Sequence, residues 1–443
     1  MKKKMFKKVV SIALILCVLL AMGGCQNSST TESEGGSGKK SSDSNVEEGV
    51  ELTLWIFLNP ESEEDPRNLV LKEIVEEYNA TNTMGNTVVV ESIHWSKFES
   101  QAIQAAGAQS GPDILNIYTD QLKQHIAGGT IQPMTEYAEE YIPEIEGYSY
   151  TADSLKIDGE IYTLPWESRT FTYWYRTDIF ESMPEDLEDL ASEAGSKSTA
   201  MDQGFVIGLS DNSNAASFME SFIPFIRSAG GSLFDAEGKA VFNSEAGVQV
   251  LEYFKSLIDS GAMDNTTISL TVDEIVDAFK AGTILSCNAG TQRASAIRSS
   301  ELNDVIASAP ILGFSDGENP SPAVVAGQSL GIGKYTEHPE AAFDFIKTFY
   351  THENQVKWLQ ANVLPVRSSV YDDSDIQEMS NYEELKSWNE YAATGQVEFY
   401  PEDYTELSAE LVKAAQEVIF NEADAQEKLD KVADWYNEKN GLD

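Results

Sequence analysis

Between residues 51 and 130 the chain alternates β-rich runs with amphipathic ones, and this alternation restricts its folds more than any other feature. "ELTLWIFLN" (51–59) is β-rich, and "RNLVLKEIVEEYNA" (67–80) sets Leu69, Ile74, Val75 and Tyr78 at helical spacing. "NTVVVESIHW" (86–95) is the next strand, and "SKFESQAIQAAGAQ" (96–109) a helix stopped by Ser-Gly-Pro. "PDILNIYT" (112–119) is a third strand, followed by a helix from Asp120 to the turn "AGGT". Strands separated by helices of this length require crossover connections, hence α/β architecture with mostly parallel sheets.

The pattern resumes further on. "NSEAGVQVLEYFKSLIDSG" and "TVDEIVDAFKAG" are predicted helices, "TILSCNAGT" a strand, and 338–362 helical in two segments. The C-terminal stretch is helical to "AQEKLDKVADWYNEK". From about residue 51 to 443 the folded body is too long for one ordinary core and suits two lobes.

The N-terminus bears on location. "MKKKMFKK" is a basic run and "VVSIALILCVLLAMGG" an apolar one ending in small residues, which together indicate an export signal over 1–24. The apolar run is short for a bilayer span. Met22-Gly23-Gly24-Cys25 resembles a bacterial lipobox, with Cys25 the lipidation site. Residues 26–50, rich in Ser, Gly and Glu, are expected to be a disordered tether reaching roughly 27 Å.

With Cys17 in the signal and Cys25 lipidated, only Cys287 remains, so no disulfide or cysteine metal site is expected. The four histidines are scattered without metal-ligand spacing, and no cofactor is expected. The formal net charge of −43 disfavours nucleic acid and anionic headgroups, leaving the lipid as the only expected membrane contact. "GQSLG" (327–331) fits a nucleophile elbow literally, but an extended run follows it where the elbow needs a helix. No enzyme activity is expected.

One stretch calls for a different explanation. "DGEIYTLPWESRTFTYWYRTDIF" (158–180) carries Tyr162, Trp166, Phe171, Tyr173, Trp174 and Tyr175 around the charged pair Glu167 and Arg169. Alternation assigns about half of Tyr162, Phe171, Tyr173 and Tyr175 to a core, whereas Trp166, between Pro165 and Glu167, is harder to place there. Aromatic faces beside planar polar groups suit the apolar faces and hydroxyl rims of sugars.

With the segments that follow, this stretch resembles the carbohydrate-binding group of extracellular solute-binding proteins of ABC importers. "GPDILNIYTDQLKQHIAGGTIQPMTEY", "DAFKAGTILSCNAGT", "AGQSLGIGKYTEHPEAAFDFIKTFY" and "NVLPVRSSVY" resemble the family's segments in the family's order. The resemblance implies a type II two-lobe fold with three interlobe crossings, near 165–170, 325–329 and 371–375. It implies lobe one from 51–167 plus 328–373, and lobe two from 168–327 plus 374–443. It implies a sugar clamped between the lobes and handed to ABC permease subunits by a monomeric receptor on the outer face of the cell membrane. The positions it carries over are Trp55, Asp120, Trp166, Glu167, Arg169, Gly290, Thr291, Gln328, Ser329, and Tyr400 or Tyr404, with Trp95 a further candidate. The stretch 183–204 departs from the family, so no contacts transfer there.

Two alternatives accompany this reading. One is a binding protein for a cationic ligand such as a polyamine, which requires several carboxylates near the crossing. The other is a surface-anchored glycan-active enzyme with a carboxylate pair dispersed in the sequence.

Overall fold

The computed structural model describes residues 49–442. The expected signal, Cys25 and nearly all of the tether lie outside the described residues. No described helix is long and apolar enough to cross a membrane.

Two sheets carry the fold. The larger runs in the order Leu364–Pro365, Thr163–Arg169, Val324–Gly333, Ile114–Tyr118, Glu51–Ile56, Thr87–Ser92. Glu51–Ile56 pairs in parallel with both Thr87–Ser92 and Ile114–Tyr118, because a helix returns the chain to the starting edge each time. Val324–Gly333 enters from the other side of the molecule and pairs antiparallel with Ile114–Tyr118 and with Thr163–Arg169.

The smaller sheet departs from the expectation of parallel pairing. Its strands Ile306–Pro310, Phe171–Arg176 and Ser286–Gly290 are antiparallel, with single parallel bridges at Val206–Cys287 and Gln203–Ile284. Phe171–Arg176 carries the chain away from the larger sheet, while both neighbours return toward it.

The cores divide in the same way. Leu54, Ile114, Leu164, Trp166, Leu330 and Trp358 belong to a core on the larger sheet, and Phe98, Leu115 and Ile117 to a smaller cluster on its other face. Tyr173, Trp174, Phe218, Phe254, Cys287 and Leu411 belong to a second core around the smaller sheet. Thr170 alone separates strand Thr163–Arg169 of the larger sheet from Phe171–Arg176 of the smaller. Val324–Gly333 crosses back, with Val324 in the second core and Leu330 in the first. A third passage leads from Leu364–Pro365 to helix Tyr382–Ala392, whose Leu385 and Trp388 lie in the second core. This is a two-lobe α/β fold.

The crossings are held tightly. The Thr291 backbone N–H donates to the Thr170 carbonyl at 2.9 Å, and the Thr119 hydroxyl to the Gly327 carbonyl at 3.0 Å. A side chain at position 327 would place its Cβ 2.3 Å from the Glu167 carbonyl oxygen, so only glycine lets the two crossing strands approach this closely.

Candidate ligand-binding cleft

A cavity of about 210 Å³ lies where the crossings meet, with residues of both cores in its walls. From the first lobe come Phe57, Arg67, Trp95, Tyr118, Asp120 and Arg169. Tyr118 and Asp120 sit at the C-terminal end of strand Ile114–Tyr118, the position at which open α/β sheets hold ligands. From the second lobe come Phe171, Met219, Glu220, Asp273, Gln292 and Arg293, together with Tyr400 and Tyr404.

The charged groups are organised in pairs. Asp65 caps helix Pro66–Thr81 through the Arg67 N–H and binds the Arg67 guanidinium at 2.6 Å. Arg169 bonds Glu167 through Nε at 2.9 Å and through a second guanidinium nitrogen, and its head lies 5.8 Å from the Tyr118 ring. Arg293 reaches Glu220 at 3.3 Å and Asp273 at 3.4 Å. Burial pushes the Glu220 carboxyl above its ordinary range, against the pull of Arg293 and Arg169.

Asp120 stands apart. Burial pushes its carboxyl up to about 6, opposed through space by Arg169. Tyr118, Tyr400 and Tyr404 all feel its charge, and burial raises all three phenols. Tyr400 and Tyr404 meet edge to face at 4.7 Å.

Buried acceptors without a protein donor cluster here. They are Glu220 Oε2, Gln121 Oε1, Gln292 Oε1, Gln328 Oε1 and, behind Arg169, Glu167 Oε2. Gln328 is 1% exposed and Glu220 5%. An unmatched buried acceptor costs about 1–3 kcal/mol, so such a concentration marks a wall built to receive donors from a ligand.

Of the positions nominated from sequence, the cleft brings together Trp95, Asp120, Arg169, Gln328, Tyr400 and Tyr404. Glu167 is fully buried and acts by holding Arg169. The structure places Trp166 elsewhere than expected. It is 0% exposed, donates its indole N–H to Asn116 Oδ1 at 3.0 Å, and packs on Phe349 and Trp358. It shares the inner strand face with Leu164, while Glu167 and Arg169 occupy the opposite face.

Trp55 packs against the smaller cluster of the first lobe. Ser329 is buried where the strand register shifts between Gln328 and Ser329. Thr291 is spent on the crossing. Gly290 lies beneath the Gln292 side chain, which comes within 2.1 Å of where a Cβ would stand. None of 183–204 lines the cleft.

Sequence reasoning missed Arg67, Tyr118, Phe171, Glu220, Asp273 and Arg293. For Tyr118 a signal existed, since it ends the strand that presents Asp120. Glu220 and Arg293 lie 73 residues apart, and no local pattern joins them.

Two lobes joined by three crossings around a polar, aromatic cleft define a solute-capturing protein. The chain belongs to the bacterial extracellular solute-binding proteins, whose family profile matches residues 73–387. Membership of an extracellular family places it among exported proteins. It is similar to a probable ABC transporter-binding protein of Deinococcus radiodurans, 24% identical over 50% of this chain. That match spans 54% of the relative's length. An arabinooligosaccharide-binding protein of Bacillus subtilis is 23% identical over 85% of this chain and 84% of its own. The GacH receptor of Streptomyces glaucescens, solved unliganded and in complex with acarbose, shares the fold. It aligns with a TM-score of 0.74 at 18% identity, covering 88% of this chain and 98% of that one.

Proposed function

We propose that this protein is the lipid-anchored receptor of an ABC importer, capturing an oligosaccharide between its lobes and delivering it to a membrane permease. The observation that carries the reading is the cleft itself, where aromatic rings of both lobes surround buried acceptors that lack protein donors. Sugar hydroxyls supply donors, and sugar C–H faces match the rings. Relatives named for oligosaccharide binding and ABC transport support the same reading.

In this scheme 51–167 with 328–373 form lobe one and 168–327 with 374–443 form lobe two, with Ser168 and Arg169 continuing the lobe-one strand at the first crossing, and the monomer is tethered through Cys25. Ligand touching both lobes biases the hinge toward closure, the state a permease distinguishes. The ligand set is Trp95, Asp120, Arg169, Gln328, Tyr400 and Tyr404 with Phe171, Glu220 and Arg293.

The test is intrinsic tryptophan fluorescence and thermal shift on the full chain across a panel of mono- and oligosaccharides. A saturable response to one glycan class is expected, reported by Trp95 in the cleft wall. Silence across the whole panel sinks the proposal.

A further inference from the structure

Each guanidinium in the cleft already has a carboxylate: Arg67 has Asp65, Arg169 has Glu167, and Arg293 has Glu220 and Asp273. Asp120 has no ion-pair partner among the described residues, and Arg169, which acts on it through space, is held by Glu167. Counting Asp65 and Glu167, which stand behind Arg67 and Arg169 and not in the wall itself, five carboxylates accompany three guanidiniums around the cavity, an excess of two negative charges when all are ionised. Glu99, bonded by the Thr405 hydroxyl, lies close enough to Asp120 to feel its charge and adds to the excess.

We propose that the captured glycan carries a free amine, whose ammonium group seats against the Asp120 carboxylate and the faces of Tyr400 and Tyr404. The proposal rests on the glycan reading above and narrows it. Three kinds of sugar are distinguished by this wall. A uronate or sulfate brings further negative charge and acceptors to a surface that already has both in excess. A neutral sugar supplies donors but leaves the charge uncompensated. An ammonium supplies both, with three N–H donors and a positive charge that aromatic faces attract.

The Tyr118 face is already occupied by the Arg169 head, which leaves Tyr400 and Tyr404, both lining the cavity and both feeling the Asp120 charge, as the aromatic pair beside Asp120. The buried, unpartnered Glu220 Oε2 and Gln328 Oε1 independently mark the cavity as built for donors. The remaining hydroxyls of the glycan meet these.

The experiment is titration calorimetry on the full chain, with each oligosaccharide of a panel in neutral, amine-bearing and N-acetylated forms, and oligogalacturonate as the anionic member. For the cognate glycan the amine form is expected to bind about tenfold or more tightly than the other two, an advantage that shrinks as salt is raised. Asp120→Asn is expected to bring the ratio of amine to neutral affinity close to one. Because the wild-type ratios need no variant, poor folding of the mutant does not rescue the idea. Saturable binding with neutral and amine forms equal, or a ratio that survives Asp120→Asn, overturns the amine proposal and leaves the glycan reading standing. Saturable binding of oligogalacturonate alone also overturns it. Silence to every glycan overturns both.

Discussion

The two walls of the cleft are built by different means. In the first lobe the ion pairs are local, Asp65 with Arg67 and Glu167 with Arg169, each two residues apart. Each is set by the backbone of its own segment, a helix cap in one case and one face of a strand in the other. In the second lobe, Arg293 reaches 73 residues back to Glu220 and 20 back to Asp273, at 3.3 and 3.4 Å. Those contacts exist only once helix Ala216–Ser228 and helix Val272–Ala281 have packed on the smaller sheet. The first wall is therefore organised by short-range structure, and the second is only as rigid as its packing.

The largest effect that sharpens this contrast is expected in the first lobe. Glu167→Ala leaves a buried guanidinium unpaired and should lower stability by about 3–5 kcal/mol in urea titrations. Trp166→Ala should cost a similar amount, about 3–5 kcal/mol, by opening a cavity against Phe349 and Trp358. If Trp166→Ala instead leaves stability intact and abolishes binding, the core placement of that ring is wrong.

Asp120→Asn runs the other way. The folded carboxyl sits above its unfolded value, so the fold favours the protonated form. Stability is then lost as pH rises from about 4 through about 6, and the cost is fully present at pH 7.5. Asparagine removes it, and the unliganded variant should gain about 1–3 kcal/mol at pH 7.5, a gain that fades toward pH 4. Unchanged melting across that window would show that Asp120 is well solvated.

In the second lobe Glu220→Gln should move stability by less than about 1 kcal/mol, because it removes a charge that burial already disfavours. It should nevertheless weaken ligand binding about tenfold. A loss comparable to that of Glu167→Ala would erase the distinction between the walls.

The smallest effect concerns the rim, where the Trp95 indole N–H of lobe one donates to Asp273 Oδ2 of lobe two at 3.2 Å. Trp95→Phe keeps an aromatic ring and removes that bond. A few-fold faster ligand release, followed by surface plasmon resonance because the substitution removes the reporting indole, is expected, at about 0.5–1 kcal/mol.

The same contrast governs what the sequence alone revealed. Strand and helix alternation in 51–130 exposed the fold class, because apolar period is a local property. Asp120, Arg169 and Gln328 are legible only through the family resemblance, which carries over positions at the end of a strand and on the crossing strands. Trp166 misleads because flanking Pro165 and Glu167 suggest a site, whereas its place in the strand puts it beside Leu164 in the core. Leu164 and Trp166 on one face, with Glu167 and Arg169 on the other, follow from period two. Glu220, Asp273 and Arg293 had no such signal, since they are joined only by tertiary packing. The antiparallel smaller sheet was hidden for the same reason, because its strands meet across more than a hundred residues.

The register shift between Gln328 and Ser329 affects how this segment changes over evolutionary time. On one side of it the strand serves the cleft, and on the other it packs Leu330 and Ile332 into the first core. Exchanging one side chain for another alters a single contact. Gaining or losing a single residue rotates every later side chain to the opposite surface, exposing what was inside and burying what was outside. Specificity is thus free to drift here by replacement, while the length of 324–333 is expected to stay fixed among descendants that still fold.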